Sequence, residues 1–423
     1  MKVSAVFTGL WQDRRFLTFW SAQTVSELGD RISELALPLI AVTVLNATPE
    51  QVGLLTAAVW LPNLVSLMIG SWVDQRPDKR RLMIFADLAR LVILLTLPTA
   101  YWSGLMSLGQ LYVVAFLAGT AQVVFNTAYS SFFVRLVTRG QFLEANSKLS
   151  STRSLSSMIG PAIGGALVQF VSAPVAVIAD ALSFLFSAVQ VSRLQVTEIV
   201  PDAAGESLFQ RAGGGMRYLL AHPYLRASLL CATTLNFFTF IGSTLLILFA
   251  SRDLGLSPGT IGLALGIGAS GGLLGATQAA RISGWIGVGP LIAIASVVMP
   301  LALAIVAFAD GPLWLRAAEF GGAEFVFAFC VMCFDVPLMS LQASVIVDTM
   351  RSRVTGAFST VNFGVRPLGA VLGGLLGGWI GPRDTLLVAA IGGALSVLWL
   401  IGSPILSTRR IEGLEPVPPR ART

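Results

Sequence analysis

Five polar residues crowd one largely apolar stretch, residues 16–45: Gln23, Glu27, Asp30, Arg31 and Glu34. Steps of three and four place Gln23, Glu27, Asp30 or Arg31, and Glu34 along one stripe of a helix. Two chemistries fit such a stripe. A carboxylate in apolar surroundings can take up and release a proton, with Asp30 the first candidate and Glu27 the second. Alternatively, the acids form a salt-bridge set around Arg31 that only packs helices together. Farther along, Glu324 and Arg366 each stand in an apolar run. Arg366 is a candidate anion-binding group or a counter-ion to the carboxylates of the first stretch. Two pairs three residues apart, Asp87 with Arg90 and Arg316 with Glu319, are expected to be local ion pairs. Asp180 is expected to serve helix packing. Phe237 and Phe240 are the first candidates among the phenylalanines to line a lipophilic pocket.

These residues must be held by membrane helices. The 423 residues are 55% hydrophobic and 12% charged, with a mean hydropathy of +0.77. Long apolar runs recur, each close to the roughly 20 residues that cross a hydrocarbon core about 30 Å thick. About twelve are expected: 16–45, 52–73, 82–103, 109–134, 147–171, 174–193, 226–250, 259–281, 285–309, 313–340, 355–380 and 384–406. At 1.5 Å per residue, Asp30 lies about 21 Å into the first, with Glu324 and Arg366 each about 16 Å into theirs. All three are near mid-depth, where a charge is costly enough to ask for a reason. Through the first half cations gather in alternate gaps: Lys2, Arg14 and Arg15, then Arg76, Lys79, Arg80 and Arg81, then Arg135, Arg139 and Lys148, while in the second half Arg252 and Arg383 fall on the other side. This asymmetry predicts both termini in the cytoplasm. The net charge of +6 is accounted for by topology and anionic lipid headgroups rather than nucleic acid.

The halves echo each other. Gly160-Pro161-Ala162-Ile163-Gly164-Gly165 matches Gly369-Ala370-Val371-Leu372-Gly373-Gly374 at an offset of 209 residues. A parallel repeat of this kind predicts two six-helix halves, 1–193 and 226–407, with a cleft between them. They are joined by a cytoplasmic connector, 194–225, that ends in an amphipathic segment, 216–225. A cytoplasmic tail, 408–423, follows. Enzyme signatures are missing: there is no HExxH, no GxSxG with a following Asp and His, and no GxxxxGK[ST] phosphate loop. The three cysteines lie in apolar runs and the single histidine excludes a His cluster, so neither a metal site nor a cofactor is expected.

The loop after the second run reads Gly70-Ser71-Trp72-Val73-Asp74-Gln75-Arg76-Pro77-Asp78-Lys79-Arg80-Arg81. A carboxylate at Asp74, among cations at a helix end, can bond a neighbouring helix terminus and act as a cytoplasmic gate. Together with the GPxxGG string, this resembles the major facilitator superfamily, whose loop signature it follows except at Pro77 and Asp78. The corresponding second-half loop, residues 275–281, has no acid. Gly160, Pro161, Gly164 and Gly165 resemble that family's antiporter motif, which is associated with exporters. The family's span-four arginine is absent, Ala115 standing there. Residues 16–30, Glu144-Ala145-Asn146 and Arg217–Pro223 are similar to the enterobactin-exporter and macrolide-efflux-like branch.

The resemblance implies an all-α membrane protein with the major facilitator fold, working as a monomer in the bacterial cytoplasmic membrane. It implies a secondary exporter, by proton antiport and alternating access, of a small amphipathic compound such as a drug, macrolide or siderophore. An importer or uniporter, or a non-transporting membrane sensor on the same fold, is the alternative.

Overall fold

The computed structural model describes residues 9–195 and 208–411, and every regular element among them is helical. In chain order these are α1 (Arg14–Leu39), α2 (Pro49–Trp60), α3 (Ser66–Asp74), α4 (Lys79–Trp102) and α5 (Leu108–Leu136). Then come α6 (Phe142–Val171), α7 (Ala173–Ser192), α8 (Leu208–Ala221), α9 (Pro223–Arg252) and α10 (Pro258–Ile286). The last five are α11 (Val288–Phe308), α12 (Leu313–Val345), α13 (Arg351–Trp379), α14 (Pro382–Ala394) and α15 (Pro404–Ser407). Local chemistry sets many of the ends. Asp13 caps α1, its carboxylate accepting from the backbone N–H of Arg15 at 2.8 Å and satisfying an otherwise orphaned donor. Near its other end Pro38 brings no N–H, and the chain passes into a π-helix over Ile40–Val44.

Among the described residues, eight helices are long and apolar enough to cross a membrane: α4 to α7 and α9 to α12. The remaining expected runs take other forms. α1 holds the charged stretch and α13 holds Arg366. The run 52–73 divides into α2 and α3 around a 3-10 stretch, Leu61–Val65, where Pro62 cannot donate a backbone hydrogen bond. The run 384–406 divides into α14, a 3-10 stretch Leu395–Trp399 and α15, with a turn at Gly402, whose φ is 78°. Phe85, Phe170, Trp314 and Trp379 stand largely exposed, an apolar surface suited to lipid rather than water.

Two expectations are corrected. Residues 216–225 are not one amphipathic segment. Helix α8 begins earlier, at Leu208, runs through Gly213–Gly215 and ends at Ala221. Gly215 is helical because its missing Cβ lets α8 lie against the backbone of Arg353, where a side chain would clash. Likewise residues 275–281 are not a loop but part of α10, since Gly275 packs onto the backbone of Phe329 in α12. The rest of the expected connector, 196–207, and most of the tail lie outside the described residues.

The chain forms two compact units, each made mostly of one sequence half, with residues 257–262 joining unit 1 and 47–60 joining unit 2. Unit 1 gathers residues 9–46, 61–195 and 257–262; unit 2 gathers 47–60, 208–256 and 263–411. The two sequence halves are built to one plan. Helices α1, α2, α4, α6 and α7 begin at Arg14, Pro49, Lys79, Phe142 and Ala173. Helices α9, α10, α11, α13 and α14 begin at Pro223, Pro258, Val288, Arg351 and Pro382. The difference is 209 residues in every case (223 − 14, 258 − 49, 288 − 79, 351 − 142, 382 − 173).

Packing repeats with the same offset. In unit 1, Gly165 meets Gly262 backbone to backbone; in unit 2, Gly374 meets Gly53. Neither member of either pair has room for a Cβ, so each pair is a close crossing that only glycine permits.

Candidate functional site

Within unit 1 the polar residues of α1 part into two groups. Arg31 donates to Glu27 Oε1 at 3.0 Å and to Glu34 Oε2 at 2.7 Å, and Arg153 Nε of α6 lies 3.8 Å from Glu27 Oε2. Gln23 adds a side-chain nitrogen that is buried without a hydrogen-bond partner. The glycines of the GPxxGG string form the shelf beneath this stripe. A Cβ on Gly160 would collide with the Arg31 side chain, and one on Gly164 would press on Ile32.

Asp30 leaves the stripe and turns toward α4 and α7. The Arg90 guanidinium donates to its carboxylate while lying 3.6 Å over the Phe184 ring. Alongside, Asp180 accepts from the hydroxyls of Ser33 and Ser183. Asp87 faces the Ser187 hydroxyl, but neither of its oxygens makes a hydrogen bond of ordinary geometry. Close approach of α1 to α7 brings the cluster together, for Gly29 has no room for a Cβ beside Ser183 and Asp180.

This corrects the expected Asp87–Arg90 pair. No salt bridge joins them among the described residues, because the long guanidinium fork reaches across to α1, where a carboxylate and a ring face satisfy it together. Asp180, expected only to pack helices, is a hydrogen-bonded member of the cluster. Nor does a salt bridge join the expected Arg316–Glu319 pair among the described residues. Arg316 donates to the carbonyls of Gly311 at 2.8 Å and Leu254 at 3.3 Å, with Asp310 at 3.9 Å. Those carbonyls outcompete a carboxylate one turn along.

In unit 2, Arg366 sits among aromatic faces. Its guanidinium carbon lies 4.3 Å from the centre of the Phe363 ring, 4.4 Å from Trp60 and 5.0 Å from Phe240. Nε is buried with no hydrogen-bond partner, and Asp335 of α12 acts on the guanidinium electrostatically. Phe240 therefore lines a cation–π cage, whereas Phe237 stacks edge-on against Phe238. Glu324 lies on α12 where Gly268 of α10 approaches its Cβ.

In the basic loop most cations serve helix ends. Lys79, only 2% exposed, donates to the carbonyls of Val73 at 2.6 Å and Arg76 at 2.7 Å, closing the end of α3. Arg80 donates to the carbonyl of Leu194 at 2.8 Å beyond α7. Arg81 pairs with Asp78 at 2.8 Å, and Arg76 stacks over Trp72. Gly70 comes within ordinary contact of Thr127. The side chain of Asp74 lies outside those described.

The sequence reading overlooked Arg153, Trp60 and Asp335. Asp335 was visible in principle, as an acid inside an apolar run. Trp60 was not, since its partners come from helices far along the chain.

Comparison with known proteins accords with this architecture. A family model for transmembrane secretion effectors, of the MFS type, matches residues 6–416. The chain is 26% identical over 407 residues to the MFS-type transporter YfiS of Bacillus subtilis (strain 168), covering 93% of this chain and 94% of YfiS. Among solved structures, a bacterial homologue of the iron transporter ferroportin in an inward-facing state aligns with a TM-score of 0.74 at 14% identity. That alignment covers 92% of this chain and 98% of the other. A variant of the nucleoside transporter NupG aligns at 0.71 and 12% identity, over 92% and 99%. At such identities the two structures speak for the fold alone. Family and structural neighbours are transporters, not enzymes. The chain belongs to the transmembrane secretion effector family of the major facilitator superfamily, as a multi-pass membrane transporter.

Proposed function

We propose that the protein is a secondary active exporter of a small amphipathic compound (a drug, macrolide or siderophore) across the bacterial cytoplasmic membrane. It works as a monomer with both termini in the cytoplasm, exchanging protons for substrate by alternating access. The observation that carries this reading is the seating of Arg31 and Ile32 on Gly160 and Gly164. An export-associated motif is thereby packed directly against the acid-bearing segment of α1. A glycine shelf of this kind lets the two helix backbones approach closely and packs them tightly. The secretion named in the family description supports outward transport, and Asp30, 23% exposed at its side chain, is the most open carboxylate of the buried cluster.

The test is proton movement in inside-out vesicles with an acidified lumen and a pH-sensitive dye. Tetraphenylphosphonium, a macrolide and a catecholate siderophore are added in turn, with Asp30→Asn alongside. Dye recovery that needs both a compound and Asp30 is the expected result. Recovery undiminished in Asp30→Asn removes that residue from the coupling, and compound movement with no proton movement removes antiport.

A further inference from the structure

The cluster between α1, α4 and α7 holds more acid than its one arginine can neutralise. Asp87, Arg90 and Asp180 are 0%, 5% and 1% exposed. Ser33, Ser183 and Ser187 around them are buried as well. Three carboxylates facing one guanidinium would leave two uncompensated negative charges in an apolar interior, far more costly than burying neutral groups.

The fold does not need these charges. At the 209-residue offset, unit 2 packs the same helices with Thr239 for Asp30, Ser296 for Asp87, Met299 for Arg90 and Ala389 for Asp180. Where Ser33 bonds Asp180, the corresponding Gly242 faces Ala389; where Gly29 faces Ser183, the corresponding Phe238 fills the space beside Gly392. One packing scheme is thus built once with uncharged residues and once with an ion cluster, so stability alone does not explain the ions.

The members differ in how they are satisfied. Asp30 receives Arg90, and Asp180 receives two hydroxyls. Asp87 receives nothing at ordinary hydrogen-bond geometry, although it is completely buried. The charged groups acting on it are Arg90 on its own helix and Asp30 on α1; from α7 it meets the Ser187 hydroxyl, with Asp180 the other acid of that helix in the cluster. No described charged group of α5 acts on it. An ionised carboxylate without a donor is the least tolerable state for such a site, and a neutral carboxylic acid the most tolerable.

We propose that Asp87 carries a resident proton, and that Arg90 transmits its loss to Asp30. When the Asp87 O–H bond breaks, the proton passes to water reaching the cluster on the partly open Asp30 side. The Arg90 hydrogen bond to Asp30 breaks and one to Asp87 forms in its place. Asp30 is left as an unpaired carboxylate, and the cluster carries one more negative charge than before until a cationic substrate group binds there. Proton and substrate cation thus compete through one arginine without sharing a residue. The exchange described here rests on the antiport reading above; the proton on Asp87 does not.

Infrared spectroscopy of the purified, lipid-reconstituted protein reads the proton directly, through the C=O stretch of protonated carboxyls. At neutral pH the band is expected to lose one component in Asp87→Asn. It should lose it also in Asp30→Asn, where Arg90 is released to ionise Asp87, and keep it in Asp87→Glu. Asp87→Ser, which copies Ser296 of unit 2, supplies a second variant should the amide disturb folding. A band unchanged in both Asp87→Asn and Asp87→Ser overturns the proposal. If the vesicle assay finds no proton movement while the component is lost in Asp87→Asn, antiport fails and the proton site stands. If protons move but the component survives, the site fails and antiport stands.

Discussion

Arg90 illustrates how a charge is retained inside a membrane unit. Its guanidinium is satisfied by a carboxylate on one side and an aromatic face on the other, so removing either acid or base leaves an uncompensated partner. Arg90→Met, which copies the residue at 299, should therefore cost about 3–5 kcal/mol through the stranded Asp30 charge. Thermal unfolding in detergent reads this. Restoring neutrality with Asp30→Asn in the same chain should recover most of the loss, and a double variant no better than the single one would refute the pairing. Lys79 is a second residue whose value lies in buried bonds. Lys79→Met removes two charge-assisted bonds to carbonyls of the α3 end and should destabilise unit 1 by about 1.5–3 kcal/mol. Lys79→Arg tests whether charge without the compact ammonium is enough; the fork does not fit a site 2% exposed, so only part of the loss should return.

Between helices, the glycine crossings decide register. Gly165→Leu should strain the meeting with Gly262 and lower stability by about 1–3 kcal/mol. Gly356→Ala, on an open face of α13 where nothing lies within 4 Å, should instead raise it by about 0.4–1 kcal/mol. Unfolding curves for the two variants should move in opposite directions. His222, ahead of α9 and between the rings of Tyr218 and Tyr224, responds to pH. Burial holds its imidazole below the usual range of 6.5, and neither nitrogen has a hydrogen-bond partner. Folding then favours the neutral ring. Stability is full above the unfolded value and is lost as pH falls below it, since the unfolded chain takes up the proton first. Tm should fall between about pH 7 and pH 5 in the native chain and fall less in His222→Phe. Equal pH slopes would show that His222 is not the titrating group.

For the molecule as a transporter, one consequence of the repeat is functional asymmetry. The ion cluster and the Glu27–Arg31–Glu34 stripe belong to unit 1, while the same positions of unit 2 are Asn236, Phe240 and Ser243. Neutralising Asp30 should abolish proton-driven export in vesicles by tenfold or more while leaving folded protein in the membrane. Changing the equivalent Thr239→Val should have little effect. Equal losses from the two would place the coupling outside this asymmetry.

Much of this was legible in the chain itself. Hydrophobic runs of membrane length, alternating basic gaps and the 209-residue echo of GPxxGG are local or periodic signals. They follow from the bilayer's thickness and from duplication, and they led to a helical transporter of two related halves. What stripe spacing could not decide was where each ionisable side chain would turn. Glu27, Asp30, Arg31 and Glu34 share a helix face by arithmetic, yet Asp30 leaves it because Arg90 approaches from a helix 60 residues away. Ion pairs three residues apart were expected at Asp87–Arg90 and Arg316–Glu319, and in each the arginine found a partner elsewhere. The sequence by itself determined the elements, because burying a backbone in lipid leaves few choices. Only the tertiary structure decided the partners, because a long cation in a low-dielectric interior binds whichever carboxylate, carbonyl or ring the packing of distant helices brings within reach.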